Sequence, residues 1–420
     1  MCWDKRATRL RAVKMMQAET SEEDFKKEVG LLDLLSKGGG EVSVEEAHKN
    51  LLAVPLEHFW QDGPNGRHLC LVMPVLGPNV MKAKTFGDVD FLKNVSSQVI
   101  GGLAFLHSKG VAHGDLHPGN ILLQTTLSDL EREDIDHLLD SQLNYELLFA
   151  EGYDGAGPHA PERIYECFDW AKVDPKYFKK EISIIDFGST FKASDPPNYQ
   201  TIDVSLRAPE QFFGSLPSQA SDLWALGCTL MHILGSSNPF RRNPLMKTWS
   251  PVHRWEDALG PLPQPYRAKW IASRGATRKR KYEEINESQP VSLTEEQLGG
   301  AKKRRLEESG TEDVIFSFLA KPTLLPVPAS ERQQQQNTEN SDDGDSDSEQ
   351  SKEWSLPREE LDSAVNLLRS VFKYKPSDRT PARELLTHPF LARDTPSPPT
   401  KTRDHNPDRT KPAARAAGTP

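Results

Sequence analysis

HGDLHPGNILL, His113–Leu123, sets an aspartate and an asparagine, Asp115 and Asn120, just ahead of an apolar run that reads as a strand. Downstream lie IIDFGST (Ile184–Thr190), with a further aspartate, Asp186, and LRAPE (Leu206–Glu210). Each string alone is weak. In this order, with SDLWALG at Ser221–Gly227 and the arginine of KPSDRT, Arg379, they form a set that chance does not readily assemble.

The residue types suit phosphoryl transfer, which needs a positioned metal, neutralised phosphate charge and an oriented acceptor hydroxyl. Asp115, in a loop beside a strand, suits orientation of the acceptor hydroxyl. Asn120 offers an amide oxygen to magnesium, and Asp186 supplies a carboxylate to the same hard cation. Any one loop aspartate is more often a turn or cap residue; the three in order are not. Lys14, near the end of a strand in LRAVK, suits the α- and β-phosphates, with Glu28 on the next helix as its partner. The competing reading is a solvated face, since Lys26, Lys27, Glu22 and Glu23 lie nearby.

Ala12 is small enough to admit a purine against the strand, and Leu122 would close the other side while also serving as core. Met73 precedes Pro74-Val75-Leu76, where the Pro74 carbonyl and the Leu76 amide suit an adenine edge; proline loses only a donor that this scheme leaves unused. Glu210 and Arg379 carry the charges for a buried fork-type pair anchoring the loop after Asp186. Asp222, near a helix start, is expected to accept backbone N–H bonds from the Asp115 loop. His113 and Phe187 read as packing residues. His107 and His117 have no cysteine or second histidine at ligand spacing, so no metal site is expected there.

Composition bounds the rest. The 420 residues suffice for one two-lobed domain plus extra sequence, and a hydrophobic content of 36% is low for a wholly packed chain. The net charge of −9 argues against direct nucleic-acid binding over the whole surface. Four scattered cysteines, without a CxxC pair, indicate neither zinc nor a disulfide framework and fit a reducing compartment. No apolar run approaches the roughly 18 residues of a membrane span, and the N-terminus has no signal-peptide pattern. A cytoplasmic or nuclear protein, monomeric and off the membrane, is the expectation.

Hydrophobic spacing predicts a strand over 7–16, a helix over 20–37 capped by Thr20 or Ser21, and a strand over 68–77. Further helices are predicted over 88–109, 218–234 and 358–373. The expected α+β organisation is a small lobe over 1–77 and a larger, mainly helical lobe over 78–271 with an insertion at about 124–181. A disordered insertion follows over 272–352, then final helices over 353–392 and a disordered tail over 393–420. The 124–181 insertion is expected to be folded, since LSDLEREDIDHLLDSQLNYELL is patterned like a helix. The 272–352 segment holds RKRK at Arg278, KKRR at Lys302, a glutamine run at Gln333 and SDDGDSDSE at Ser341. Its basic clusters are candidate nuclear-import signals or plain solvated charge.

These strings resemble the eukaryotic protein-kinase family over nearly the whole chain outside the low-complexity segments. NGRHLCLVMPVLGPNV at Asn65–Val80, CWD at Cys2–Asp4 and the long insert before IIDFG look closest to SR-protein-specific serine/threonine kinases of fungal type. The resemblance implies a two-lobed fold with a β-sheet and one helix in the small lobe, Mg-ATP in the cleft, and transfer to serine or threonine of a protein. Lys14, Glu28, Asp115, Asn120, Asp186, Glu210 and Arg379 match the family's motif positions. Arg/Ser-rich splicing factors are the substrates it suggests.

Three departures stand out. No glycine-rich turn precedes Lys14, and Gly38-Gly39-Gly40 reads as a loop; an N-terminally truncated kinase, weak in ATP binding, is expected. Gly114 replaces the arginine usual before the catalytic aspartate, so activation-loop phosphorylation is not expected to be the switch. His117 stands where a lysine commonly meets the γ-phosphate. A pseudokinase scaffold is the first alternative, supported by the absent turn and opposed by the retained Lys14, Asp115, Asn120 and Asp186. A small-molecule kinase is the second; such enzymes share HGDLHxGN loops, but LRAPE, DLWALG and Arg379 build a protein-substrate platform.

Overall fold

The computed structural model describes residues 1–18, 20–36, 40–83, 88–139, 144–146, 163–165, 167–170, 173–200, 202–235, 237–238, 240, 250–283, 313–326 and 351–392. Gly38, Gly39, the Lys302 and Ser341 clusters and the tail after residue 392 lie outside the described residues.

The small lobe is an antiparallel sheet in the order β1-β2-β4-β3, from β1 (Cys2–Asp4), β2 (Arg9–Ala18), β3 (Glu57–Gly63) and β4 (Gly66–Met73). Three helices lie between β2 and β3: α1 (Glu22–Val29), α2 (Leu31–Ser36) and α3 (Val44–Lys49). Ser21 caps α1 by accepting the Asp24 N–H, and three acidic residues favour its first turn. The single helix expected over 20–37 is therefore two. The break falls at Gly30, where a Cβ would lie 2.2 Å from the Lys26 carbonyl oxygen. The strand expected over 68–77 also ends early, at Met73, and pairing resumes across the lobe boundary in β5 (Leu76–Asn79).

In the large lobe, α4 (Val80–Ala83) leads to α5 (Val89–Ser108), capped by Asp88, and then to β6 (Val111–Ala112) and β7 (Ile121–Thr125). Leu92, Val95, Val99, Leu103 and Leu106 form the buried stripe of α5. β10 (Phe178–Ile184), β7 and β5 form one sheet, and β11 (Phe191–Lys192) pairs with β6. Between β7 and β10 lie α6 (Arg132–Leu139) and the pair β8 (Asn144–Glu146) and β9 (Arg163–Tyr165). The helical pattern expected through Leu148 thus gives way to a strand at Asn144. Leu127 and Ile135 of this insertion join Leu10 and Val75 in a second, small core, flanked by Trp3, Trp170 and Tyr177. The insertion consequently packs on both the first lobe and the connection between lobes.

α7 (Pro209–Phe212), α8 (Gln219–Leu234), α9 (Pro251–Leu259) and α10 (Tyr266–Glu283) follow. α8 is buried nearly all round, as suits the central helix of a core. The segment expected to be disordered over 272–352 is corrected in three places. α10 runs on to Glu283; α11 (Val314–Ala320) buries Ile315 and Leu319 completely; and β12 (Thr323–Pro326) pairs with β13 (Ser351–Trp354). Apolar residues inside a charge-rich stretch found a partner face on the large lobe. α12 (Arg358–Val371) and α13 (Ala382–Leu385) close the lobe. Among the described residues no helix is long and apolar enough to cross a membrane.

Candidate active site

Lys14 and Ala12 share one face of β2, because side chains alternate along a strand. The Lys14 Nζ lies 2.9 Å from Glu28 Oε2 on α1 and 3.8 Å from Asp186 Oδ1. One lysine thus joins the small lobe's helix to the segment after β10. Gly188 lets that segment come close: a Cβ there would lie 3.3 Å from Glu28 Oε1. Asp186 itself has φ +64, a conformation that L-residues adopt at a cost.

The Asp115 loop is held from behind by one carboxylate. Asp222, at the start of α8, accepts the His113 N–H at 2.7 Å, the Gly114 N–H at 3.0 Å and His107 Nε2 at 3.0 Å. Asn120 donates its side-chain N–H to the Asp115 carbonyl at 3.0 Å, which leaves its amide oxygen as the group suited to a cation. The Asn120 carbonyl accepts the Ile185 N–H at 2.9 Å, tying the Asn120 loop to the residue before Asp186. Burial raises the Asp115 carboxyl above its ordinary range, opposed by His117 and His113 and reinforced by Asp186. Burial also pushes His113 down. Its Nδ1 accepts the Asp115 N–H at 3.2 Å and its Nε2 faces the Ile185 carbonyl at 3.3 Å, the pattern of a neutral imidazole. Its ring lies 5.4 Å from that of Phe187. His117 Nε2 stands 3.8 Å from Asp115 Oδ2.

The purine-side residues lie on β2, on the stretch from β4 to β5, and on β7. Ala12 is opposite Met73 in the β2–β4 register, and Leu122 is opposite Asn79 in the β5–β7 register. Leu122 is partly exposed between the buried Ile121 and Leu123. Val75 is buried and its carbonyl accepts the Thr125 hydroxyl at 3.0 Å, so its neighbours Pro74 and Leu76, both partly exposed, occupy the alternate positions of this extended stretch.

Glu210 and Arg379 meet in a two-pronged pair at 2.6 Å on each prong. Arg379 also donates to the Ala220 and Lys373 carbonyls and lies over the Trp224 ring. Gly114, with φ +83, has no room for a side chain: a Cβ would lie 2.3 Å from the Ser189 carbonyl oxygen.

The donor set fits magnesium bound with a nucleotide. Among the described residues no group of three or more His, Cys, Asp or Glu could hold a metal unaided. One carboxylate and one amide oxygen are too few for a self-sufficient site but suit an ion that keeps water and substrate phosphate oxygens. Sequence reasoning missed the second core behind Val75, whose signal was the recurrence of Trp3, Leu127, Ile135 and Trp170 as apolar residues in otherwise polar stretches.

No family model matches the chain. Among curated proteins it is 22% identical over 389 residues to the serine/threonine-protein kinase SRPK of Physarum polycephalum, covering 87% of this chain and 75% of that one. It is 24% identical over 349 residues to the serine/threonine-protein kinase AFC1 of Arabidopsis thaliana, covering 80% and 56% respectively. The AFC2 kinase of the same plant is 23% identical over 407 residues, covering 93% and 73%. With the two-lobed fold and the Lys14–Glu28–Asp186 cluster, these similarities mark the chain as a protein kinase. The relatives just named are serine/threonine-protein kinases, and the chain is similar to them at 22–24% identity.

Proposed function

We propose that the chain transfers the γ-phosphoryl group of Mg-ATP to a serine or threonine hydroxyl of a protein. The observation that supports this reading is the pairing of Lys14 with Glu28 and Asp186, next to an Asp115–Asn120 loop that the Ile185 N–H ties to the segment carrying Asp186. Lys14, oriented by Glu28, holds phosphate oxygens. Asn120 and Asp186 hold magnesium, which when bound neutralises charge on the phosphates. Asp115 accepts the hydrogen bond of the acceptor hydroxyl, and the buried Asp222 keeps its loop in place. Ala12, Pro74, Leu76 and Leu122 enclose the purine.

The proposed substrates are proteins with serine flanked by arginine, such as splicing-factor tails, in the cytoplasm or nucleus. Of the two basic clusters suggested for import, Arg278–Lys281 lies on helix α10. The deciding experiment incubates the purified chain with Mg-ATP and three acceptors: Arg/Ser peptides, neutral-flanked serine peptides and small alcohols. Transfer to peptides with arginine preference is expected. Transfer to peptides without that preference removes the substrate class alone. Transfer to alcohols only favours the small-molecule reading, and absence of both transfer and Mg-dependent nucleotide binding favours a scaffold.

A further inference from the structure

Three non-glycine residues among those described have positive φ: Thr8, Leu51 and Asp186. Two of them flank a single hydrogen-bonded junction. Leu51, at φ +67, closes α3: its N–H donates to the His48 carbonyl and that of Leu52 to the Ala47 carbonyl, both at 2.9 Å. This paired closure places the residue after the helix cap in the left-handed region, where glycine is usual and leucine is strained.

The turn delivers its backbone to the strand that feeds Asp186. The Leu51 carbonyl accepts the Ile184 N–H at 2.7 Å, and the Ala53 N–H donates to the Ile184 carbonyl at 2.9 Å, making a parallel bridge centred on Leu52 and Ile184. The Ile185 N–H goes to the Asn120 carbonyl, and the Ile185 carbonyl faces His113 Nε2. Every backbone polar group of the two residues before Asp186 therefore has a partner. Gly102 of α5 permits the approach, since a Cβ there would lie 2.7 Å from Ile184 Cδ1 and 3.4 Å from the Asn50 carbonyl oxygen.

We propose that Leu51 is a positioning residue for Asp186: its left-handed turn clamps Ile184 and so holds the backbone that sets the Asp186 carboxylate in the cleft. An over-determined neighbourhood is what allows a strained φ at Asp186 to persist. The inference rests on the reading of Asp186 as a metal-binding carboxylate.

Substitutions at Leu51 separate positioning from packing. Leu51→Gly and Leu51→Asn favour the left-handed turn but remove apolar packing; Leu51→Val keeps more packing but resists the turn. Amide hydrogen exchange over 183–187 and Mg-dependent ADP affinity are measured on the full chain. Leu51→Val is expected to speed exchange about tenfold or more and weaken the affinity about fivefold, with Leu51→Gly and Leu51→Asn close to the parent. The opposite ranking, with glycine worst and valine best, overturns the proposal. If Leu51→Val does not fold, Leu51→Ala against Leu51→Gly poses the same contrast, and faster exchange in the glycine variant overturns it. Asp186→Ala is measured alongside. If it leaves ADP affinity equally magnesium-dependent, the metal reading of Asp186 fails, and the exchange ranking alone decides the positioning.

Discussion

Arg379 and Glu210, 169 positions apart, face each other through both nitrogens and both oxygens at 2.6 Å, with side chains 0% and 4% exposed. The pair fastens the end of the segment that begins at Asp186 to the last part of the large lobe. Removing one partner strands a charge in the interior. Arg379→Ala should therefore cost about 3–5 kcal/mol of stability, read by chemical denaturation. Arg379→Lys should recover only part of this, because an ammonium lacks the planar fork that meets both oxygens and two carbonyls. Full recovery by lysine would show that charge alone matters.

Asp115 and Asp186 should separate in kinetics. Asp186→Ala is expected to abolish turnover and the magnesium dependence of nucleotide binding. Asp115→Ala should leave nucleotide affinity unchanged and lower the rate about 10²–10⁴-fold. Equal activity of Asp115→Ala and the parent would remove the catalytic assignment of that residue.

The raised Asp115 carboxyl has a sign that can be checked. Burial makes ionisation harder in the folded chain than in the unfolded one. The folded state is thus penalised at pH above the raised value, and the penalty vanishes once both states are protonated below the ordinary carboxylate range. Asp115→Asn should accordingly melt higher than the parent at neutral pH, with the gain disappearing in acid. Activity of the parent should fall as pH drops through the raised value. A melting gain that persists unchanged at low pH would place its origin elsewhere.

Leu319 and Ile315 bear on the stretch expected from composition to be disordered. Both are wholly buried on α11. Leu319→Ala should cost about 2–5 kcal/mol by lost burial and cavity formation. Deletion of 313–326 should lower Tm clearly, against the disorder that sequence predicts over 272–352. An unchanged Tm would mean that α11 contributes nothing to the large lobe.

The chemistry-bearing strings and the long elements are legible in residue order alone. A carboxylate and an amide in one loop, a second carboxylate before DFG's phenylalanine and a lysine on a strand announce their roles through residue type. α5, α8 and α12 announce themselves through apolar spacing over several turns. Features that depend on contact between distant segments emerge only once the chain is folded. Nothing in the letters places leucine at φ +67 or aims Leu51 at Ile184, because a left-handed leucine is locally unfavourable and persists only when its surroundings impose it. Likewise α11 is a short apolar patch in a charged, low-complexity stretch, and such a patch becomes a helix in the core only when another surface buries it.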